Sequence, residues 1–134
     1  FFMKVGSLNH FVLTVSDLAR SRAFYDRLLP VLGYRRLFEQ PHTCGFQGAD
    51  GLKLILAQAL EPKREESFDR RRVGLNHMAF NAPDRAFVDD IHQKLVSWDV
   101  RILDAPASYP QYEASYYAVF FLDPDGIKLE VVHV

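Results

Sequence analysis

The sequence predicts an α+β fold made of two tandem modules, each a strand, a helix and three further strands, and three observations carry that prediction. Leu8-Asn9-His10 recurs as Leu75-Asn76-His77, an offset of 67 from residue 10 to residue 77, and Asp17 and Asp84 follow the two histidines at equal distance. Phe24 and Leu28 match Ile91 and Leu95 at that same offset, with apolar positions returning every three to four residues as a helix face requires. Each half also closes alike, Asp50-Gly51-Leu52-Lys53-Leu54 being answered by Asp125-Gly126-Ile127-Lys128-Leu129. Self-similarity of this kind marks a repeated supersecondary unit.

The elements follow in order. Leu8–Val15 is a strand in which His10, Val12 and Thr14 share one face and Phe11, Leu13 and Val15 the other. Asp17 or Ser16 caps a helix over 17–32, because a short oxygen-bearing side chain satisfies free N–H groups; Pro30 disturbs its end and Gly33 stops it. Strands follow at Tyr34–Glu39, Thr43–Gln47 and Leu52–Ala57, the last two joined across Asp50-Gly51, a hairpin signal because glycine accepts positive φ. Glu61 to Arg72 is charged, contains Pro62 and reads as a linker; its Arg70-Arg71-Arg72 run is a solvated turn or, alternatively, a lip that attracts an anionic substrate. The second half repeats the order: strand Leu75–Asn81, helix 84–97 capped by Asn81 or Asp84 beside Pro83, then strands Val100–Leu103, Tyr116–Leu122 and Ile127–Val132. The offset has grown to 75 between Asp50 and Asp125, which places eight extra residues in Ala105–Ser115. The expected organisation of 1–134 is thus one domain, with module one at about 7–60, a linker at about 61–72 and module two at about 73–134.

Composition bounds the function. With 134 residues, 49% hydrophobic and 25% charged, the chain is an ordinary globular domain rather than a disordered one. A formal net charge of -1 supplies no field to hold a nucleic acid or an anionic membrane, so neither is an expected partner. The single cysteine, Cys44, makes no internal bridge, and no apolar run nears the roughly 18 residues of a membrane span. Phe1-Phe2-Met3-Lys4 does not open like a secretion signal, so a cytoplasmic location is expected.

The parity that aligns His10 also aligns His77 with Ala79 and Asn81, opposite Met78 and Phe80, the surface a helix would cover. In the last strand Glu130 stands amid Ile127, Leu129, Val131 and Val132. A carboxylate in such a run is costly unless paired or metal-bound, and a divalent cation held by two imidazoles would compensate it. Two His and one carboxylate leave about three positions of an octahedral ion open to water and substrate.

These residues resemble the vicinal oxygen chelate superfamily, which includes glyoxalase I, fosfomycin-resistance proteins, methylmalonyl-CoA epimerase, extradiol dioxygenases and bleomycin-resistance proteins. The opening, Leu8 to Leu18 with Ser21-Arg22-Ala23-Phe24-Tyr25-Asp26, and the closing Phe121-Leu122-Asp123-Pro124-Asp125-Gly126-Ile127-Lys128-Leu129-Glu130 carry the resemblance over nearly the whole chain. It implies paired βαβββ modules whose mixed sheets curl into one cup, helices on the convex side, and one divalent ion (Mn, Ni, Zn or Fe) on the concave side held by His10, His77 and Glu130. Ile55 stands where glyoxalase I-like members carry a fourth ligand, so the chain is similar to the three-ligand members; Gln58 would need a bulge to substitute. The implied activity is a metal-dependent lyase, isomerase, epoxide-opening enzyme or dioxygenase acting on a small molecule. The alternative is a binding protein similar to bleomycin-resistance proteins, and a homodimer is implied in either case.

The inserted stretch is rich in amphipathic rings, so Tyr112, Tyr116 and Tyr117 are candidate substrate contacts, with packing as the alternative. Glu39 and Glu113 are possible general bases to which sequence assigns no role, so the catalytic residue stays unknown. His42 in a loop, His92 on a helix and His133 at the wrong parity read as surface or packing residues, and Cys44 as inert.

Overall fold

The computed structural model describes residues 4–134, so the reading of Phe1–Lys4 as no secretion signal lies largely outside the described residues. The chain divides into two compact units, one ending at Glu66 and the other spanning Ser67–Val134, and each is a βαβββ module of an α+β fold.

In the first unit β1 (His10–Val15), α1 (Leu18–Val31), β2 (Arg35–Glu39), β3 (Thr43–Gln47) and β4 (Lys53–Gln58) are followed by one 3-10 turn at Glu61–Lys63. The sheet order is β1-β4-β3-β2. The three strands after the helix form an antiparallel meander, and its last strand lies parallel to β1. Asp17 caps α1 by accepting from the Arg20 N–H at 3.1 Å, and Gly33 at φ +88° lets the Tyr34 N–H close back on the Leu29 carbonyl at 2.9 Å. Pro30 lies inside the last turn, where its missing N–H removes one bond of the helical ladder. Tyr25, Leu28 and Leu29 from α1 bury against Val15, Phe46, Leu54 and Leu56, and each such side chain contributes roughly 1.5–3 kcal/mol by leaving water. Polar-out alternation is therefore kept on β1, where Leu13 and Val15 are buried and His10, Val12 and Thr14 are exposed.

The second unit repeats this: β5 (His77–Asn81), α2 (Arg85–Ser97), β6 (Ile102–Ser108), β7 (Tyr117–Leu122) and β8 (Lys128–His133), ordered β5-β8-β7-β6 with β5 parallel to β8. Asp84 is the N-cap, accepting from the Phe87 N–H at 2.8 Å. Asp99 takes the place of Gly33 at the helix end, at φ +59°, and the Val100 N–H closes on the Leu95 carbonyl at 3.0 Å. Val88, Ile91 and Leu95 cover Val119, Phe121, Leu129 and Val131.

One strand differs from the sequence expectation. β6 runs to Ser108 rather than stopping at Leu103, because Pro106 lies on an edge strand, where a missing N–H costs no ladder bond. Two register shifts against β7 accommodate it. The longer second module thus comes from a seven-residue β6 against a five-residue β2, and from a connection over 109–116 against one over 40–42. That connection packs Tyr109 and Tyr116, beside Leu103 of β6, onto Ala118, Phe120 and Val132 on the sheet face opposite α2.

Candidate metal centre

Each unit presents its first-strand histidine in the same way. Nδ1 of His10 lies 2.7 Å from Oδ1 of Asn9, and Nδ1 of His77 lies 2.7 Å from Oδ1 of Asn76. An amide oxygen only accepts, so in the neutral ring Nδ1 carries the proton and Nε2 presents its lone pair outward. This is the tautomer and the orienting partner that a metal-binding imidazole needs. The sequence reading quoted both asparagines within the repeat but gave them no role; an acceptor directly before each repeated histidine was the available signal.

Glu130 is 1% exposed in the centre of β8, between Ala79 of β5 and Phe120 of β7. Its Oε1 lies 3.2 Å from Nε2 of His77, and its Oε2 accepts a short hydrogen bond from the Tyr116 hydroxyl. Burial, and then the bond to Glu130, push the Tyr116 phenol well above its usual range, so it remains a donor. The distance between His77 and Glu130 carries chemical meaning. With the Nδ1 proton directed to Asn76, Nε2 and Oε1 face each other as two acceptors, which repel unless a cation lies between them. Two ligands each about 2.1 Å from one ion, at right angles, stand about 3 Å apart, and the pair meets that requirement. A proton on Nε2, giving an ion pair, is the other species that satisfies the contact.

The equivalent place in the first unit is apolar. Ile55 pairs with Val12 and Gly45, and the Phe38 ring lies so close over Gly45 that an added Cβ would sit 2.3 Å from it. No register shift interrupts β4, and Gln58 is engaged elsewhere: its Oε1 accepts from the Leu18 N–H and its Nε2 donates to the Ser16 carbonyl at 2.8 Å. His133 is its counterpart, with Nδ1 3.3 Å from the Ala82 carbonyl. Among the described residues no group of three or more His, Cys, Asp and Glu side chains gathers to hold an ion. The second unit assembles His77 with Glu130, and His10 belongs to the first unit, on the exposed face of β1.

The tyrosines part company. Tyr109 and Tyr112 stack at 5.6 Å between centroids, Tyr116 meets both edgewise, and Tyr109 stands edgewise on Phe120 at 5.5 Å. Tyr112 and Tyr116 thus form a wall together with Tyr109 of the same inserted stretch, and Tyr116 brings it to Glu130. Tyr117 lies on the α2 side: its hydroxyl donates to Asp89 at 2.6 Å and the Arg85 guanidinium sits 4.7 Å over its ring. Lys128, also overlooked, places its ammonium 4.6 Å over Phe120. Glu113 is exposed, while Glu39 is paired with Arg22 at 3.2 Å. Asp69 turns the Arg70–Arg72 stretch by accepting from the Arg71 N–H at 2.9 Å. Burial pushes the Cys44 thiol up, in keeping with an inert residue. A polar groove of about 360 Å³ beside the start of α1, lined by Ser16, Asp17, Arg20, Glu61, Arg64 and Glu65, holds none of the candidate site residues.

With fold and site in view, residues 7–131 match the sequence model of the Glyoxalase/Bleomycin resistance protein/Dioxygenase superfamily. The uncharacterized protein YqjT of Bacillus subtilis (strain 168) is 39% identical over 93% of this chain and 97% of its own. Metallothiol transferase FosB of Lysinibacillus sphaericus is 34% identical, over 96% of this chain and 82% of its own. Glutathione transferase FosA of Serratia marcescens is 31% identical, over 93% and 79%. Among solved structures, a Bacillus halodurans protein provisionally described as a glyoxalase superposes with a TM-score of 0.84 at 34% identity, covering 96% of both chains.

Proposed function

The chain belongs to the Glyoxalase/Bleomycin resistance protein/Dioxygenase superfamily, and from that premise we propose that it is a divalent-metal-dependent enzyme acting on a small molecule, with His10, His77 and Glu130 as the protein ligands. The single observation that carries this reading is the 3.2 Å approach of Nε2 of His77 to Oε1 of a buried carboxylate, with the ring proton turned away onto Asn76. A bound ion of the Mn, Ni, Zn or Fe type supplies Lewis acidity toward substrate oxygens on which negative charge develops.

The chain's own residues do the rest. Asn9 and Asn76 fix the two imidazoles, and Tyr116 holds Oε2 of Glu130 so that Oε1 faces His77. Tyr109, Tyr112 and Tyr116 wall the carboxylate on the face away from α2 and exclude water there. Relatives named as metallothiol and glutathione transferases favour group transfer over ring-cleaving oxygenation or simple sequestration. The reading includes a homodimer, which light scattering tests directly.

The deciding experiment is titration of metal-stripped protein with Mn²⁺, read by equilibrium dialysis and calorimetry. One ion per chain is expected, and His10→Ala, His77→Ala and Glu130→Ala should each weaken it by about 100-fold or more, ligand loss exceeding the 10- to 100-fold typical of an outer partner. No binding by the wild-type protein, for Mn²⁺, Ni²⁺, Zn²⁺ and Fe²⁺ alike, overturns the reading and leaves the imidazolium–carboxylate pair as the meaning of the contact.

A further inference from the structure

Phe120 is the ring that His77, Tyr109 and Lys128 share. The His77 ring meets it edgewise at 6.4 Å, the Tyr109 ring at 5.5 Å, and the Lys128 ammonium lies 4.6 Å over its centroid. Strand register explains the gathering, since Lys128 is the partner of His77 across β5 and β8, while Glu130, two residues on, is the partner of Phe120. Lys128 has no carboxylate within ion-pairing distance among the described residues, although Glu130 shares its strand face; both oxygens of Glu130 are taken, by His77 and Tyr116. A cation held on a ring rather than on an acid keeps its charge available to something else.

We propose that Lys128 is the anion anchor of this site and that the substrate is an oxygen-chelating organic anion with a flat, ring-like body. This rests on the metal reading above for the chelated oxygens and for part of the positive charge, while the share of the charge preference that Lys128→Gln removes, and the preference for a flat body, rest on Lys128 and the tyrosines. A divalent ion with one carboxylate and neutral imidazoles carries net positive charge, and Lys128 adds to it, so a neutral ligand leaves the site uncompensated. The flat body follows from the wall: Tyr112 is stacked on Tyr109 and still 61% exposed, which offers a ring face beside Tyr116, the residue that holds Glu130. Lys53 stands in the same register beside His10 in the first unit, so each histidine has a lysine neighbour across its parallel pair.

Three probes separate the terms. Salicylate has a ring, two adjacent oxygens and a charge; 1,2-dimethoxybenzene has the ring and oxygens with no proton to lose to a metal; lactate has the oxygens and charge without the ring. Calorimetry on Mn²⁺-loaded wild-type protein, without air, should rank salicylate about tenfold or more tighter than either comparison. Lys128→Gln should cost about tenfold for salicylate and leave 1,2-dimethoxybenzene unchanged, while Lys128→Arg should restore salicylate. Tyr112→Ala should weaken salicylate and 1,2-dimethoxybenzene but not lactate. 1,2-Dimethoxybenzene binding as tightly as salicylate, or Lys128→Gln and Lys128→Arg behaving alike, overturns the proposal. Mn²⁺ affinity of each variant is measured first and should be unchanged. If the wild type binds no metal, the metal reading fails on its own, and the same three titrations on metal-free protein decide the anion anchor by the same ranking.

Discussion

At the scale of single residues, the site is a problem of orientation as much as of ligand identity. Asn76 is exposed and contributes little to packing, yet its amide oxygen sets which nitrogen of His77 is free. Asn76→Ala should therefore lower Mn²⁺ affinity by about 10- to 100-fold, as loss of an orienting partner does. Thermal melts in the absence of metal should hardly change; an equal loss of stability would show a structural role instead. Tyr117 offers a test by pH. Its bond to Asp89, with burial second, raises the phenol above its usual value, so the folded state holds the proton longer than the unfolded chain. The contribution is fully present below the unfolded value of about 10 and is lost as pH rises through the folded one. Urea unfolding at pH 8 and pH 10.5 should show a steeper alkaline loss in the wild type than in Tyr117→Phe; parallel losses would refute the assignment.

Two elements end or touch in ways that substitution can weigh. Asp99 closes α2 at φ +59°, where Gly33 closes α1 at φ +88°. A side chain in the left-handed region is strained, so Asp99→Gly should stabilise the protein by up to about 1 kcal/mol, read from the denaturation midpoint. Destabilisation would show that the Asp99 side chain has a role beyond the turn. Gly45 is the opposite case, since its place under the Phe38 ring leaves no room for a Cβ. Gly45→Ala should cost about 1–3 kcal/mol through overpacking between β2 and β3, and Phe38→Leu in the same background should recover part of it. The elements themselves were legible because their signals are local: an aspartate before each helix, a glycine after the first, Asp-Gly between strands. β6 was misread because a proline inside a run signals a loop unless one knows that the run lies at a sheet edge, and edge position is a property of the sheet.

For the whole molecule, the proposed ligands are shared between the units, His10 in one and His77 with Glu130 in the other. Metal should therefore stabilise the intact fold by mass action, about 2.7 kcal/mol at 100 times the dissociation constant, and raise the melting temperature accordingly. His10→Ala should abolish that rise as completely as Glu130→Ala does, although the two lie in different units. A rise that survives His10→Ala would mean that the second unit binds the ion without the first.

The sequence alone determined the βαβββ repeat, the faces on which His10, His77 and Glu130 stand, and the apolar residue Ile55 at the repeat position of Glu130, because periodicity and offset are set by bonds along the chain. The tertiary structure alone decided which atoms meet: His77 with Glu130, Tyr116 with the second carboxylate oxygen, Tyr117 turned instead to Asp89, and Lys128 over Phe120. Those contacts join residues from separate strands and a long connection. Their distances depend on how the strands pair and how the loop folds over the sheet, which no local pattern encodes.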